Sequence, residues 1–584
     1  MTVIQTSYHT AENVSPPTAA PFRIAVAGCG PKGMYCLERL AYELARSDQR
    51  SEVQITIFEP APFPGAGAVY HPRQPHYLRM NFASQFINAW PETVRQRSPL
   101  AYPALVEWLD DKYPQHADPD GFVPRAIVGE YLSAAFQKTL QLFPDFVTVN
   151  LVTQKVMHLR KAESRWLLKI TDGEIAFDEV LLTIGHEGWR AASSFDLPSD
   201  QIIEKVYPVD QMLSAARLPS RSSVAIRGFA LTFIDACLAL TEGRGGQFLR
   251  DKQDWSYLPS GDEIQTILPY SRTGHPMLAK PDSRYFKSHS ELEQIWEQGR
   301  RRLLNLKQPE TGLDFRNAIW PVILKTAEEA LLSQVPDHEI SRKAPLIGLQ
   351  NWFQDWSNRN FSPAEAFQRL QQSYRVATGQ LPPDEAWALG ETFRQLYSAL
   401  VRRISYGGLA LTSWPEFKRN AKEMERLAFG PPAENVGRLM ALIKAGIVDL
   451  DYLRAELVSD QNRLVLKSEG KQLTVDRLIN AVIPDSDQFS ENSLLKQLLS
   501  SGKVRRMLGA GGIAVDGAAR PILPKHQNTE KENTVEQKTE GLAVIGRPTE
   551  GCVLGNDTLS RQLHSCPDQW ARSVCEQIAL RNET

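Results

Sequence analysis

A short apolar run, Arg23-Ile24-Ala25-Val26-Ala27, ends in Gly28-Cys29-Gly30-Pro31-Lys32-Gly33, and no other stretch narrows the possible folds of this chain as much. Behind it, Met34 to Arg46 carries Leu37, Leu40, Ala41 and Leu44 at helical spacing. Val53-Gln54-Ile55-Thr56-Ile57-Phe58-Glu59 then reads as a second strand that ends in an acid. Strand, glycine turn, helix, strand and carboxylate together describe a dinucleotide-binding βαβ unit. Gly28 permits the tight turn, Gly30 lets backbone approach a pyrophosphate, and Gly33 allows close helix–strand packing. Pro31 and Lys32 open the helix, whose N-terminal amides and dipole suit phosphates. Glu59 stands where its carboxylate would accept hydrogen bonds from the hydroxyls of an adenosine ribose.

Two further segments point to FAD at this first fold. Pro60-Ala61-Pro62-Phe63-Pro64-Gly65-Ala66-Gly67-Ala68-Val69-Tyr70 is a rigid loop with glycines at its turn, placed to cover a pyrophosphate; taken alone it is an ordinary surface loop. Glu179-Val180-Leu181-Leu182-Thr183-Ile184-Gly185-His186 reads as a buried strand ending in glycine, which returns the chain to the same fold. A second strand–turn–helix begins at Ser223-Val224-Ala225-Ile226-Arg227-Gly228-Phe229-Ala230-Leu231, with Asp235 in its helix. The strand Ile264 to Leu268 follows, then Ser271-Arg272-Thr273-Gly274. An arginine beside hydroxyls at a strand end suits a 2′-phosphate, hence NADPH; its plain counterpart is a solvated loop charge.

GCGPKG, FEPAPFPGAGAVY, Leu78-Arg79-Met80-Asn81, LLTIGH and Gly541-Leu542-Ala543-Val544-Ile545-Gly546-Arg547-Pro548-Thr549-Glu550-Gly551 occur in this order. Together they resemble the FAD/NAD(P)-binding family related to bacterial flavin N-hydroxylating monooxygenases, over roughly 22–280 and 405–575. Arg97-Ser98-Pro99-Leu100-Ala101-Tyr102, Val123-Pro124-Arg125 and Gly129-Glu130-Tyr131-Leu132 are similar to the ornithine and lysine N-hydroxylases. The resemblance implies FAD at the first fold, a nicotinamide cofactor at the second, and nitrogen oxidation through a C4a-hydroperoxyflavin. It also implies that Met80 and Asn81, with Gln85, Asn88 and Trp90, pass the flavin, and that Thr549, Glu550 and Gly551 cap its ribityl and pyrimidine side. The family pattern at the second fold resembles G-F-G-L-x-x-x-D, and Ala230 replaces its middle glycine.

Composition sets bounds. The chain has 584 residues, 42% hydrophobic and 23% charged, with a formal net charge of −2. That is room for two or three globular domains, with no charge excess favouring nucleic acid or an acidic membrane. No apolar run approaches the ~18 residues of a membrane helix, and no signal peptide is visible. Six cysteines with no C-x-x-C spacing read as reduced thiols of a cytoplasmic protein, and no histidine–cysteine pattern suggests a metal.

The expected architecture is α/β, with two Rossmann-like folds for FAD and NAD(P)H and a large all-helical insertion. Residues 1–20 are a disordered tail, 21–222 the first part of the FAD fold (with an insertion at about 72–178), and 223–287 the first part of the nicotinamide fold. Residues 288–430 are helical, from apolar spacing in Glu291–Leu306, Leu313–Ser333, Pro363–Gln380 and Pro383–Ile404. Residues 431–484 return to the nicotinamide fold, with Val448–Leu450, Leu464–Leu466 and Leu478–Ile483 as strands, and 485–584 return to the FAD fold. The segment 525–540 reads as an exposed polar loop.

The expected function is an FAD-dependent, NADPH-using monooxygenase acting on a small polar amine or amino acid, with oxygen as co-substrate and a homo-oligomer possible. The catalytic candidates are Asn81, Gln85 and Arg125, the last as a bidentate carboxylate ligand alongside Arg79. His71, His76 and His186 lie near the flavin by position. A disulfide reductase lacks its cysteine pair here, and a Baeyer–Villiger fingerprint is absent. Two alternatives stay open: hydroxylation of a purine-like compound such as urate, and a silent FAD-binding sensor or assembly protein, which Ala230 would favour.

Overall fold

The computed structural model describes residues 20–583 apart from 49, 96–101, 187–200, 253, 286–288, 335–345, 485–487 and 524–536. The N-terminal tail, Arg97 to Ala101 and most of the 525–540 loop therefore lie outside the described residues.

The first apolar runs form one five-stranded parallel sheet in the order Leu542–Val544, Glu179–Leu182, Phe22–Ala27, Val53–Phe58, Val147–Val152. Its inner strands carry apolar side chains on both faces because helices or a meander cover both, as parallel sheets require. The Pro31–Arg46 helix packs on one face and buries Met34, Leu37, Leu40, Ala41 and Leu44. The C-terminal helix, Cys566–Glu583, lies against it. An antiparallel meander of His158–Ala162, Arg165–Ile170 and Gly173–Phe177 joins the fold.

The second sheet is also parallel, ordered Thr266–Tyr270, Ser223–Arg227, Arg477–Asn480, Ile202–Ile203. Three sequence expectations need correction. Val147–Val152 falls inside the stretch expected to be an insertion, yet it is the edge strand of the first sheet. Ile202–Ile203 belongs to the second sheet although it precedes residue 222. Leu464–Leu466 is not in either nucleotide sheet: Arg463–Ser468 is the middle strand of a separate meander with Glu456–Asp460 and Lys471–Val475. Leu464, Val465 and Leu466 are all buried, so this middle strand is covered on both faces although its neighbours are antiparallel. Val448 makes a single bridge to Ile267, and Arg477–Asn480 alone re-enters the sheet.

The helical layer contains Ser290–Leu304, Trp320–Leu332, Leu346–Asn358, Pro363–Ala377, Glu385–Ile404 and Trp414–Ala428. A π-helical turn, Phe315–Ile319, precedes the second of these, where one continuous helix is expected. Ser362 and Glu365 form a capping box at Pro363, and Asp384 caps Glu385. The aromatics Phe353, Trp356 and Phe361 are core. Trp356 and His275 share the Glu423 carboxylate, at 3.0 and 2.8 Å. The apolar core of this layer is continuous with that of the second nucleotide fold, so the two pack as one body.

One buried ion pair ties the far end of the chain to the first sheet. Glu179 is fully buried; its two carboxylate oxygens share Arg520 Nη1 (2.6 and 2.7 Å), and one of them also accepts the Trp570 indole N–H (2.8 Å). Removing one partner strands the other charge without water. Glu179→Ala is expected to cost about 3–5 kcal/mol in urea-unfolding stability, whereas Glu174→Ala, whose partner Arg160 is exposed, should leave the unfolding midpoint almost unchanged.

Candidate active site

The glycine turn has the geometry of a phosphate cradle. Gly28 has φ +87°, and a Cβ there would stand 2.6 Å from the Thr183 carbonyl oxygen. A Cβ on Gly33 would meet the Gly28 carbonyl oxygen at 2.7 Å, the close helix–strand approach expected of it. Pro31 opens the helix after the N-cap Gly30, which has no side chain to cap the first-turn amides. Those amides point at the space beside Gly30. The proline-rich loop folds back over the turn: the Gly65 N–H donates to the Cys29 carbonyl at 2.6 Å, and a Cβ on Gly67 would come 3.1 Å from Gly30 Cα. Gly129 lets the Arg125–Leu140 helix touch the Tyr70 carbonyl, which closes the other side of this loop. Glu59 accepts the Cys29 and Ala61 N–H groups at 2.6 and 2.8 Å. Burial raises its carboxyl above the ordinary value, opposed by those amides. The set fits FAD: an open cradle, an amide-lined helix start and an acid at the ribose position.

The C-terminal return completes the wall. Gly546, at φ +92°, lies against the Lys32 side chain. Thr549 Oγ1 donates to the Gly546 carbonyl at 2.8 Å, and Glu550 accepts the Gly555 and Asn556 N–H groups at 2.9 Å each. Gly551 (φ +103°) allows contact with the Ala510 carbonyl. Gly185, at φ +58°, has open space where its Cβ would be. From the helical layer, Tyr397 reaches this wall beside Gly555 and packs on Phe429 at 5.1 Å between centroids. The Phe429 carbonyl accepts the Asn81 side-chain amide at 3.4 Å. Lys280, after the second nucleotide sheet's edge strand, donates to the Asn81 carbonyl. Three layers thus meet around Asn81.

The charges at this junction are unusual. Glu425 is exposed on its helix but crowded by neighbouring protein; that desolvation and the Asp557 charge push it up to about 7. Glu550 is raised by burial and Asp557. Burial and the Arg561 charge lower Lys32 to about 8. His186 is exposed just beyond the Glu179–Leu182 strand, and desolvation by the protein around it, with the Arg547 charge, lowers it to about 4. Asp557 pairs with Arg547 at 2.8 Å. Protein thus surrounds several cations and carboxylates at one place, a combination typical of functional sites.

At the second fold, Gly228 has φ +115° and lies beside Val482. Ala230 caps the Leu231–Leu240 helix in an extended, unstrained conformation. Arg272 is exposed two residues beyond the Thr266–Tyr270 strand. Asp235, 2% exposed, pairs with Arg125 Nη2 at 2.7 Å and accepts the Tyr207 hydroxyl. Arg125 also donates to the Arg79 carbonyl and to Tyr207. Burial would lower its pKa, but Asp235 and Tyr207 hold it above the ordinary value.

Among the sequence candidates, the turn residues, the Pro60–Tyr70 loop, Glu59 and the Thr549–Gly551 segment come together. Met80 is buried beside Asn81. Gln85 is exposed and bonded to Asp120 at 2.5 Å. Trp90 is buried; His71 packs edge-on against Phe63. Sequence reasoning missed Lys280, Tyr397, Glu425 and Phe429. A lone lysine in Met277-Leu278-Ala279-Lys280-Pro281 was a usable signal; the other three sit on helices whose pattern reports packing alone.

The cradle makes a two-sided prediction. Gly30→Ala keeps an ordinary φ of −74°, and its Cβ meets Gly67 Cα at an acceptable 3.7 Å. Its unfolding free energy should stay within ~0.5 kcal/mol of wild type, while bound flavin, read from the absorbance ratio of the purified protein, falls at least about tenfold in affinity. Gly28→Ala should instead lower stability itself, since both φ and space oppose a side chain.

Residues 25–187 match the family model described as FAD-NAD(P)-binding. The chain is 26% identical over 564 residues to an L-aspartate N-monooxygenase (nitrosuccinate-forming) of Streptomyces davaonensis, covering 83% of this chain and 86% of the relative. It is 26% identical over 602 residues to a nitrosuccinic acid synthase of Aspergillus oryzae, covering 92% and 91%. A solved ornithine N-hydroxylase of Kutzneria sp. 744 overlaps 96% of this chain and all of its own at 14% identity, with a TM-score of 0.43. Among the described residues no helix is long and apolar enough to cross a membrane. The chain is an FAD- and NAD(P)-binding oxidoreductase, related through most of its length to N-monooxygenases.

Proposed function

We propose that this protein is an FAD-dependent, NADPH-using N-monooxygenase that oxidises the amine of a small acidic amino acid, with L-aspartate the first substrate to test. The observation that carries this reading is that similarity to nitrosuccinate-forming enzymes runs through 92% of the chain, helical layer included. The first oxidation balances as R–NH₂ + O₂ + NADPH + H⁺ giving R–NHOH + NADP⁺ + H₂O. Bound FAD supplies the electron chemistry between nicotinamide and oxygen.

The residues divide by task. Gly28, Gly30, Pro31, Gly33, Gly65, Gly67 and Gly185 shape the cradle, and Glu59 holds the ribose. Thr549, Glu550 and Gly551 close the far side, and Lys32 presents its cation to an anionic group there. Gly228 receives the nicotinamide dinucleotide, and Arg272 meets its 2′-phosphate. Met80 and Asn81 border the flavin, with the Asn81 amide as the polar group on that wall. Arg125 has all three nitrogen positions engaged and serves as a joint between the folds, not as a carboxylate clamp.

The test is oxygen consumption and mass-spectrometric product analysis of the holoenzyme with NADPH and L-aspartate, beside L-ornithine, L-lysine and urate. Aspartate-dependent NADPH oxidation with an N-oxidised product supports the reading. NADPH oxidation that no amine stimulates, with hydrogen peroxide as the sole product, contradicts it.

The cofactor choice is separately testable. Arg272→Ala should raise the KM for NADPH about ten- to hundredfold, the effect of one charge-assisted hydrogen bond, and leave that for NADH within about twofold. Equal effects on both cofactors would remove Arg272 from the phosphate site.

A further inference from the structure

Lys280 is a cation for which the two nucleotide folds have no use. It lies in a buried loop after the second sheet and is 6% exposed. A lysine is seldom buried to that degree without a partner. Its Nζ donates to the main-chain carbonyl of Asn81, across the boundary between the two nucleotide folds. Its own backbone is fixed as well: the Lys280 N–H donates to the Pro431 carbonyl at 2.9 Å, and the residue bridges Pro432. The flavin fold presents to it the Asn81 carbonyl and the Phe122 ring, 5.9 Å from Nζ. The Glu385–Ile404 helix presents Arg394 and Glu391, which pair with each other at 2.8 Å.

Asn81 is therefore gripped twice. Lys280 holds its carbonyl from the nicotinamide side, and the Phe429 carbonyl holds its side-chain amide from the helical layer. We propose that Lys280 is a positioning residue of the reaction, whose ammonium–carbonyl hydrogen bond fixes the Met80–Asn81 segment so that the flavin-facing wall keeps its shape during turnover. This rests on the reading above that the segment borders the flavin. With the grip loosened the site would admit water, and NADPH and O₂ would be consumed to give NADP⁺ and hydrogen peroxide without N-oxidised product.

The grip depends on charge, because an ionised donor bonds a carbonyl about twice as strongly as a neutral one. Burial first, then the Arg394 charge, lower the Lys280 ammonium to about 7, with Glu391 opposing. A base is protonated below its pKa, so the strong form of the grip is present below pH 7 and fades as pH rises through it. Arginine at this position stays charged throughout.

The experiment measures coupling, the moles of N-oxidised product per NADPH consumed, from pH 6 to 9 in wild-type, Lys280→Arg and Lys280→Met holoenzymes. Melting temperature and bound flavin report folding and loading in each. The expected result is a several-fold fall in wild-type coupling with a midpoint near 7. Lys280→Arg should be flat across the range and above wild type at pH 9, and Lys280→Met should release peroxide at every pH. Lys280→Met coupling like wild type, or Lys280→Arg following the wild-type pH profile, overturns the proposal. A second readout needs no turnover: in ¹³Cε-lysine-labelled protein, one resonance absent from Lys280→Met should titrate near 7. Titration at the ordinary value of about 10.4 overturns the proposal as well. Failure of the wild type to make any N-oxidised product sinks the functional reading instead, and the lysine titration still decides whether Lys280 is the poised cation described here.

Discussion

The site exists because the last eighty residues of the chain come back to its first sheet. Glu179 sits on the strand beside Phe22–Ala27, and it is satisfied by Arg520 and Trp570, from two separate C-terminal segments. A carboxylate this deeply buried is tolerable only when its partners are in place. The fold of the first sheet and the docking of the C-terminus are therefore one event. Docking sets Leu542–Val544 at the sheet edge and brings Gly546 to Lys32 and Glu550 towards the helical layer.

A second joint, Arg125–Asp235–Tyr207, sets the nicotinamide fold against the flavin fold. Its members are drawn from segments that a purely local reading assigns elsewhere: Arg125 to substrate binding and Asp235 to a cofactor motif. Buried between folds, the pair fixes their relative position more than it adds stability, since two desolvated charges return little net energy. Hydride transfer needs the nicotinamide held near van der Waals distance of the flavin, so a rigid joint of this kind has a direct chemical use. The helical layer contributes in the same sense. Its core is continuous with that of the nicotinamide fold, so Tyr397 and Phe429 are held by the same packed body.

Local physics made the first fold legible in the sequence. A glycine turn between strand and helix leaves a fixed spacing, and Gly28, Gly30, Gly33 and Glu59 occupy the positions that spacing predicts. The second sheet was harder, because Ile202–Ile203 is two residues long and Arg477–Asn480 arrives after some two hundred residues of other structure. The Arg463–Ser468 strand misled because Leu464, Val465 and Leu466 are buried on both faces, like a strand of a parallel sheet, although they belong to an antiparallel meander. The site's inner wall was legible in part. Asn81 stood out through a family resemblance, whereas Tyr397, Glu425 and Lys280 reach it through tertiary packing that leaves no periodic trace.

The central claim is that the two nucleotide folds work as one electron path from NADPH to flavin. Anaerobic stopped-flow absorbance of the purified holoprotein, following the flavin bands after mixing with NADPH or NADH, tests it most directly. The account predicts full bleaching by NADPH, at a rate well above that with NADH. Bound flavin that stays oxidised with both cofactors would mean that Ala230 has closed the second fold to the dinucleotide, and would contradict the account.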